Sequence, residues 1–295
     1  MKKHAFLVIA HQDQRLLQQL VSLLDDDRNA VYVLIDSKSN LQGHVLSTKY
    51  ASLTLMPKVP VYWGGVSTIG AELDVLRAAS AGGYHYYHLI SGADLPIVSQ
   101  DRLHDRLEDS DLEYVDVDPG CEAFARWKVA YYHPLVETRP YRRCWPYRMI
   151  GHAFIKLQAK VGIDRTRRTR TRFSHGSAFF SITHALAQYV LERERWVRAR
   201  FKYTVTCDEV FIQTLAMRSP FQSRIAGRNG LKTGNLRYID WERKDKNSPY
   251  TFRMTDLDEL KEASEHYLFA RKFNRAVDHE IVDTIVERVG AGGDL

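Results

Sequence analysis

Two adjacent carboxylates, Asp208 and Glu209, stand just before the apolar, helix-forming run of residues 210–217. A positioned carboxylate can take the proton of a hydroxyl that attacks an electrophilic carbon, such as the anomeric carbon of an activated sugar. A helix N-terminus favours the ionised carboxylate and keeps such a base ready. The structural alternative is that Asp208 caps the helix and Glu209 decorates its first turn. From these two residues alone, the structural alternative is favoured.

A second candidate is Lys272, in the segment FARKF of residues 269–273. A nucleoside diphosphate leaving group gathers negative charge as it departs, and either a metal ion or a fixed cation can stabilise that charge. The alternative is a solvated lysine at a helix end, where a cation is favourable anyway. Spacing does not separate Lys272 from its neighbour Arg271.

The acidic triplet Asp116-Val117-Asp118 follows a predicted strand. Hard oxygen ligands suit Mg or Mn, and acidic triplets of this kind hold metal diphosphates in many nucleotide-sugar enzymes. The triplet is short, and a solvated strand end is the favoured interpretation. The chain has three cysteines, and neither a metal-site spacing nor a disulfide framework is recognisable among them.

The middle of the chain, residues 119–173, is rich in Tyr, Trp, Arg and Pro, and we predict that it is less regular than the first third. Arg126, Trp127 and Lys128 combine aromatic and basic side chains, as sugar-binding surfaces do, although Trp127 could equally pack in the core. The arginine-rich run of residues 165–172 could contact nucleic acid or lipid phosphates. A charged surface loop or a weak membrane contact is favoured. Without a recognition helix or an RNA-binding signature, no nucleic-acid partner is expected.

Composition sets the class of protein. The 295 residues are 44% hydrophobic and 26% charged, as in ordinary soluble globular proteins. The net charge of +6 suits anionic ligands such as nucleotide sugars, phosphorylated acceptors or an acidic membrane surface. The N-terminal apolar stretch is too short for a signal peptide, and no apolar run has transmembrane length. We expect a cytoplasmic protein, soluble or bound peripherally at the inner face of the membrane.

The elements that must position these residues alternate between strand and helix. Residues 4–11 form a continuous apolar run, typical of a strand buried on both faces, and residues 30–36 form another. Between them, Leu16, Leu17, Leu20, Val21 and Leu24 lie on one helical stripe. This order predicts an α/β fold with a mostly parallel central sheet flanked by helices, in one domain over residues 1–295. The first strand is not followed by GxGxxG, which disfavours that type of dinucleotide site.

Six segments occur in a specific order: VLIDSKS, VYWGGVSTIGAEL, YHLISGADLPI, HGSAFFSIT, CDEVFIQT and LFARKF. With them the sequence resembles the core-2/I-branching family, which includes β-1,6-N-acetylglucosaminyltransferases and peptide O-xylosyltransferases. The likeness runs from about His4 to about Asn274. It implies a GT-A-type fold and an inverting, single-displacement transfer from a UDP-sugar without a divalent metal. Because the cysteines and membrane anchor of secreted animal members are missing, it also implies a bacterial enzyme that builds a surface polysaccharide or glycoconjugate.

The resemblance assigns roles to individual positions. Glu209 falls on the catalytic base, and Lys272 falls on the lysine that holds the donor diphosphate. Asp36 matches an acidic residue near the uridine. Ile35 precedes it, and the histidine that the family has in this stretch is absent. The remaining matches are Ile9, Ala10 and His11 on nucleotide-contacting positions, Arg126 and Lys128 on a basic acceptor-binding segment, and Tyr238 and Trp241 on an aromatic acceptor-side stretch. The second diphosphate-binding cation stays open among Arg253, which is the favoured one, Arg237 and Arg243.

Together these observations predict a metal-independent, inverting glycosyltransferase that needs no cofactor. Its donor is a UDP-sugar, with GlcNAc favoured, and its acceptor is a hydroxyl of a glycan or glycolipid. One alternative is a metal-dependent transferase that uses Asp116 and Asp118. Another is a non-catalytic protein that binds nucleotide sugars or glycans.

Overall fold

The computed structural model describes residues 2–226, 234–243 and 248–295, with the side chains of Arg142 and Arg143 left out of the description. The strands are β1 (His4–Ala10), β2 (Asn29–Ile35), β3 (Ser52–Leu55), β4 (Tyr86–Ser91), β5 (Asp94–Pro96), β6 (Tyr114–Val115), β7 (Phe180–Thr183), β8 (Arg237–Ile239) and β9 (Phe269–Arg271). The helices are α1 (Gln14–Leu23), α2 (Val66–Ser80), α3 (Gln100–Glu108), α4 (Glu122–Ala130), α5 (Arg139–Arg143), α6 (Trp145–Lys160), α7 (His184–Glu192), α8 (Glu194–Phe201), α9 (Phe211–Ala216), α10 (Leu257–Ser264) and α11 (Glu280–Gly290).

The central sheet has six strands in the order β3-β2-β1-β4-β7-β6. Strands β1 to β4 pair in parallel, and β7 runs antiparallel to both of its neighbours. Residues of β1 point alternately into two apolar clusters, one with α1 and α11 and the other with α2 and α7. A strand covered on both faces needs apolar residues throughout, which explains the run of residues 4–10. The predicted mostly parallel sheet flanked by helices is confirmed, and it is consistent with a GT-A-type fold.

The strand order reverses beside β1, because β2 and β3 lie on one side of it and β4 on the other. Such a reversal opens a crevice at the carboxyl ends of the strands, where open α/β sheets bind ligands. His11 follows β1 and Asp36 follows β2 at this edge. Gly92 follows β4, and a Cβ there would lie 2.9 Å from Cβ of Ala10, so a glycine lets the two strand ends approach closely.

A small second sheet, β5-β9-β8, lies beside this edge. Asp94 of β5 pairs in register with Arg271 of β9. Lys272 directly follows β9. The pairing of β9 with β5 therefore brings this lysine close to the end of β1, although the two are far apart in the sequence. No helix within the described residues is long and apolar enough to cross a membrane.

Two local predictions are wrong. The segment of residues 119–173 is more regular than predicted, since it contains α4, α5 and α6. Its prolines Pro140 and Pro146 lie in the first turns of α5 and α6, where the missing N–H would have no intrahelical partner anyway. The helix after Asp208 begins only at Phe211, and Asp208 lies in a preceding 3₁₀ turn, Cys207–Glu209.

Asp208 therefore does not cap the helix as predicted, since Val210 occupies the N-cap position without a side-chain cap. The turn is reached through Thr206, whose φ of 44° is left-handed and whose N–H donates to the Gly64 carbonyl at 2.6 Å. This geometry turns Asp208 inward, where it is buried. Burial and the nearby Asp208 carboxyl raise the pKa of the buried Glu72 well above its usual range.

Candidate functional site

Glu209 lies in a network of charged side chains that we call the Glu209 network, made of Glu209, Lys128, His175 and Asp118. Lys128 Nζ donates to Glu209 Oε2 at 2.6 Å and lies 2.9 Å from His175 Nε2. His175 Nε2 is 3.4 Å from the same Glu209 oxygen, and His175 Nδ1 is 2.6 Å from Asp118 Oδ2. The Lys128 side chain is 6% exposed, whereas that of Glu209 is 28% exposed. The buried side chain of Lys128 thus holds, from the protein side, a Glu209 carboxylate that remains partly exposed to solvent.

The network sets the charge state of Glu209. Burial alone would raise the pKa of this carboxyl, but hydrogen bonds from His175 and Lys128 lower it below its usual range. Conversely, burial would lower the pKa of His175, but Asp118 and Glu209 raise it. Glu209 is therefore ionised at neutral pH and can accept a proton from a bound hydroxyl. The cause lies in these side chains rather than in the helix N-terminus that the sequence suggested.

Backbone contacts fix the geometry of this network. The Gly176 N–H donates to the Glu209 carbonyl at 3.0 Å, and the Asp118 N–H donates to the His175 carbonyl at 2.8 Å. Gly176 also lies against the Asp116 carbonyl, where a Cβ would collide with the oxygen. The dipeptide His175-Gly176 therefore fits between the end of β6 and the turn that carries Glu209, which explains the glycine in HGSAFFSIT.

The acidic triplet belongs to these surroundings. Asp118 holds His175, and burial together with Asp118 raises the pKa of Asp116 to about 7. A carboxyl with such a pKa is partly protonated at neutral pH. Across residues 2–226, 234–243 and 248–295, no three His, Cys, Asp or Glu side chains are grouped to hold a metal ion.

The second group is the strand-end cluster, made of His11, Asp36, Lys38 and Lys272. Partial burial and the charges of Arg271, Lys272 and Lys38 lower the pKa of His11, while Asp36 opposes them. Lys38 Nζ donates to both Asp36 oxygens at 2.7 and 2.8 Å, and the Val61 N–H donates to Oδ1 at 3.2 Å. His11, Asp36 and Lys272 were predicted on the donor side from three distant segments, and both Asp36 and Lys272 lie within electrostatic reach of His11. Ile9, also predicted there, is partly buried near the end of β1.

Sequence reasoning missed Lys38 in this cluster. The signal was present in VLIDSKS, because Lys38 stands two residues after Asp36 and its own N–H donates to Asp36 Oδ1 at 3.0 Å. Although burial opposes it, Lys38 lowers the pKa of Asp36 and keeps this carboxylate ionised.

The structure distinguishes Arg271 from Lys272 by the ion pair that Arg271 makes with a buried carboxylate. Arg271 Nη1 donates to Asp94 Oδ1 at 2.5 Å and also to Ser91 Oγ, and Asp94 is fully buried. Asp94 in turn accepts from the Ser91 N–H at 2.8 Å. Arg271 thus holds the loop after β4 and pairs with a buried carboxylate, and both Arg271 and Lys272 add positive charge near His11.

The three arginines considered as a second diphosphate cation differ in their surroundings. Arg237 is buried beneath the sheet, donates to Ser181 Oγ at 2.7 Å and to the Phe180 carbonyl at 2.7 Å, and burial lowers its pKa to about 9. Arg243 is paired with Asp240, with Asp256 at 2.8 Å and with Glu259 at 2.7 Å. Arg253 donates to the Tyr250 hydroxyl at 2.8 Å and is partly exposed. Burial disfavours Arg237, which leaves Arg243 and Arg253 as the partly exposed candidates.

Helix α4 presents an aromatic surface beside the Glu209 network. The rings of Phe124 and Trp127 are half-exposed, nearly parallel at 8°, with centroids 6.2 Å apart. The Phe124 ring lies 5.2 Å from the His175 ring, and Lys128 Nζ lies 4.7 Å from the Phe124 centroid. Phe124 was missed, although its position three residues before Trp127 on a helix places both on one face. Flat apolar rings of this kind can stack on the C–H face of a sugar.

Of the four residues predicted on the acceptor side, Arg126 and Lys128 lie on α4. Lys128 faces Glu209, and Arg126 donates to Asp164 Oδ2 at 2.9 Å and to Thr166 Oγ1 at 2.8 Å. Arg126 lines a cleft of about 910 Å³ between α4 and residues 164–173. The other residues that line it are Glu122, Ala123, Trp127, Ala130, Tyr131, Asp164, Thr166, Arg167, Thr169, Arg170, Thr171, Arg172 and Phe173.

Tyr238 and Trp241 lie at and after β8. Tyr238 donates its hydroxyl hydrogen to Glu259 at 2.6 Å and stacks on Phe252 with centroids 5.6 Å apart, so it is anchored in the protein. Trp241 is 62% exposed and presents its ring to solvent. Of this pair, Trp241 is therefore the residue more open to a ligand.

Comparisons with known proteins identify the family of this chain. A model of the Core-2/I-Branching enzyme family matches residues 4–263. Xylosyltransferase 1 of Homo sapiens and of Pan troglodytes are each 23% identical over 300 residues, which cover 94% of this chain. Xylosyltransferase 1 of Canis lupus familiaris is 22% identical. The chain spans only about 30% of the length of these relatives.

Proposed function

The chain belongs to the Core-2/I-Branching enzyme family of glycosyltransferases, and from that premise we propose that it is an inverting transferase that uses a UDP-sugar without a divalent metal. The acceptor is a hydroxyl of a glycan or glycolipid in surface polysaccharide or glycoconjugate synthesis. The observation that carries the proposal is the ionised, solvent-open Glu209 held by Lys128 and His175. The strand-end cluster supports it, because Lys272 and His11 suit a nucleoside diphosphate.

In the proposed reaction, the acceptor hydroxyl donates a hydrogen bond to the Glu209 carboxylate. Its oxygen attacks the anomeric carbon from the face opposite the diphosphate, and the bond between that carbon and the UDP oxygen breaks. The hydroxyl proton passes to Glu209, and UDP leaves with the bonding electron pair. One displacement inverts the anomeric configuration. Lys272 and Arg253 stabilise the charge that grows on the leaving diphosphate.

Lys128 and His175 act on this step through Glu209. Their hydrogen bonds keep the carboxylate ionised and fix its direction, which is the positioning that general-base catalysis requires. The same bonds also make Glu209 a weaker base than an isolated glutamate. The Phe124–Trp127 surface and Trp241 are candidates to hold the acceptor sugar beside it.

GlcNAc is the favoured sugar, because the resemblance extends to N-acetylglucosaminyltransferases. Xylose is the second candidate, favoured by the relatives named xylosyltransferase 1. A test measures UDP release from UDP-GlcNAc and UDP-xylose in excess chelator. Turnover of one donor that chelator leaves unchanged, and that is strongly reduced in Glu209→Gln, is the expected result.

The two alternatives predict other results. A metal-dependent transferase would bind UDP and release it only after Mn or Mg is added, and Asp116→Asn would then abolish turnover. The hydrogen bond between Asp118 and His175 disfavours this candidate, because it engages one carboxylate of the triplet. A non-catalytic binding protein would bind UDP-sugars in a calorimetric titration but would never hydrolyse or transfer them. Donor hydrolysis without acceptor would already exclude it.

A further inference from the structure

Helix α6, Trp145–Lys160, projects much of its apolar surface into solvent. Within this fully described helix Gln158 alone is buried. Trp145 is 73% exposed, Met149 56% and Leu157 55%, and Val161 just after the helix is also exposed. Large apolar side chains gathered in this way on one surface element usually mark an interaction site.

The exposed residues of α6 are ordered in rows along the helix axis. Side chains four positions apart lie nearly above one another on a helix. Two adjacent apolar rows are Met149, Ala153, Leu157 and Val161, and Pro146, Ile150 and Phe154. A basic row, Arg148, His152, Lys156 and Lys160, runs along one side of them. The residues that rest on the protein, Gly151, Ile155 and Gln158, lie on the opposite side.

The charge around this helix has one sign. Between residues 139 and 160 the sequence contains four arginines, two lysines and no aspartate or glutamate. The whole chain has 42 basic and 36 acidic residues, so the six cations of this stretch equal the chain's entire net charge of +6. An apolar face bordered by a basic row, with a tryptophan at one end, is the pattern of helices that lie in the interface of a membrane. Anionic headgroups attract the basic row while the apolar rows enter the acyl boundary.

The position of α6 relates this surface to the Glu209 network. The Tyr132 N–H donates to Gln158 Oε1 at 2.8 Å, and Gln158 Nε2 donates to the Tyr132 carbonyl at 2.9 Å. Tyr132 follows α4, the helix that carries Lys128. A small cleft of about 150 Å³, lined by apolar side chains that include Ile150 and Phe154, opens between α6 and residues 132–135. The apolar face of α6 therefore continues into the protein toward α4.

We propose that α6 is a membrane-docking helix that binds the surface of a bilayer containing anionic phospholipids. The helix lies in the interface, with its apolar rows in the acyl boundary and its basic row at the headgroups. Docking places α4 and the adjoining cleft close to the bilayer. The proposal depends on neither the donor nor the catalytic residue, so failure of the transferase assignment would leave it standing.

The test is flotation of the whole protein with phosphatidylcholine vesicles, with and without phosphatidylglycerol. We expect binding to the anionic vesicles that weakens as salt is added, and little binding to the neutral ones. The paired substitution Met149→Asp and Leu157→Asp removes apolar side chains that the structure leaves exposed, and should lower the partition coefficient at least about tenfold. Arg148→Glu with Lys156→Glu should lower it at least about 20-fold, since each cation near an anionic surface contributes about fivefold.

A matched control reverses two exposed cations elsewhere, Arg218→Glu with Arg288→Glu, for the same change in net charge. It should retain at least about a third of the partition coefficient, since only long-range attraction is lost.

Quenching of Trp145 by brominated acyl chains should disappear in Trp145→Phe. Absence of vesicle binding, or equal losses in the control and the Arg148/Lys156 variant, would overturn the proposal. So would a concentration-dependent dimer abolished by Met149→Asp, which would make the face a contact between copies of this chain. If the aspartate variant loses its circular dichroism spectrum, the charge-reversal pair decides.

Discussion

In the strand-end cluster, His11 and Asp36 directly follow the ends of two neighbouring parallel strands, and a third strand pairing brings Lys272 to them. In the Glu209 network, the position of each side chain depends on bonds between distant segments. Lys128 and Glu209 are 81 residues apart, and His175 and Asp118 are 57 apart. Backbone hydrogen bonds of the sheet therefore position the first group, whereas contacts between loops and side-chain hydrogen bonds position the second. We expect single substitutions to disturb the Glu209 network more widely than the strand-end cluster.

The largest effect is expected for Glu209→Gln, which keeps the shape of the side chain and removes the base. Transfer should fall about 10²–10⁴-fold, the usual worth of a general base, while UDP affinity changes little. Single-turnover kinetics and calorimetric titration of UDP measure the two quantities. Glu287→Gln on the exposed surface of α11 is the matched control. Near-normal transfer in the Glu209 variant would remove this residue from the mechanism.

The next effect concerns the stability of the folded protein and the residue Arg271. The sequence alone does not separate this arginine from its neighbour Lys272. Arg271→Ala leaves the fully buried Asp94 without its ion-pair partner. Breaking a buried pair in this way costs about 3–5 kcal/mol. Urea unfolding of the variant and of the double variant Arg271→Ala with Asp94→Asn measures it, and the double variant should regain part of the loss. An unchanged midpoint in Arg271→Ala would mean that the pair is not a structural one.

Lys272→Ala should lower kcat about 10²–10³-fold, because its charge matters most while negative charge builds on the departing diphosphate. UDP affinity should fall as well. Lys272→Arg should recover only part, since a planar guanidinium does not reproduce a compact ammonium. Lys202→Ala, on an exposed segment, is the control. Equal and small effects at both positions would assign the leaving group to other residues.

A smaller effect concerns the pH dependence of the Glu209 network. The pKa of His175 is raised from 6.5, so its contribution to stability is full below pH 6.5 and is lost as pH rises through the raised value. Asp118→Asn removes a main cause of the raised pKa. An NMR titration should therefore show a lower pKa for His175, and urea unfolding between pH 6 and 8 should show a weaker pH dependence than in the wild type. An unshifted His175 would contradict the hydrogen bond to Asp118.

The pH dependence of stability has the opposite sign at Glu209. Its pKa lies below 4.5, so its ion pairs stabilise the protein above pH 4.5 and are lost as pH falls through the lowered value. Transfer should fail over the same acidic range, because a protonated Glu209 cannot accept a proton.

The smallest effect is expected at Trp241, whose exposed ring is a candidate acceptor contact. Trp241→Ala should raise the acceptor KM about 3–10-fold, the range of a single aromatic contact, with UDP affinity unchanged. Arg126→Ala should act in the same direction, although loss of its bonds to Asp164 and Thr166 also loosens the cleft wall. Unchanged acceptor kinetics in both variants would move the acceptor site elsewhere.

The sequence predicted best what depends on periodicity. The apolar stripe of α1 and the continuous apolar residues of β1 and β2 are buried as predicted. The prediction for residues 119–173 was wrong because prolines and mixed aromatic and basic residues are usual in loops, whereas Pro140 and Pro146 lie in the first turns of helices. Helix α6 has apolar residues at helical spacing, but it exposes most of them instead of burying them.

By itself, then, the sequence determined the alternation of strand and helix, the order of the six motifs and the candidate base Glu209. Only the tertiary structure decided that Lys128 and His175 hold the Glu209 carboxylate, that Arg271 is bound to Asp94, and that Asp208 turns inward. The physical reason is range. Local periodicity reflects which face of an element is buried, whereas the partner of a charged side chain depends on which distant segments the sheet order brings together.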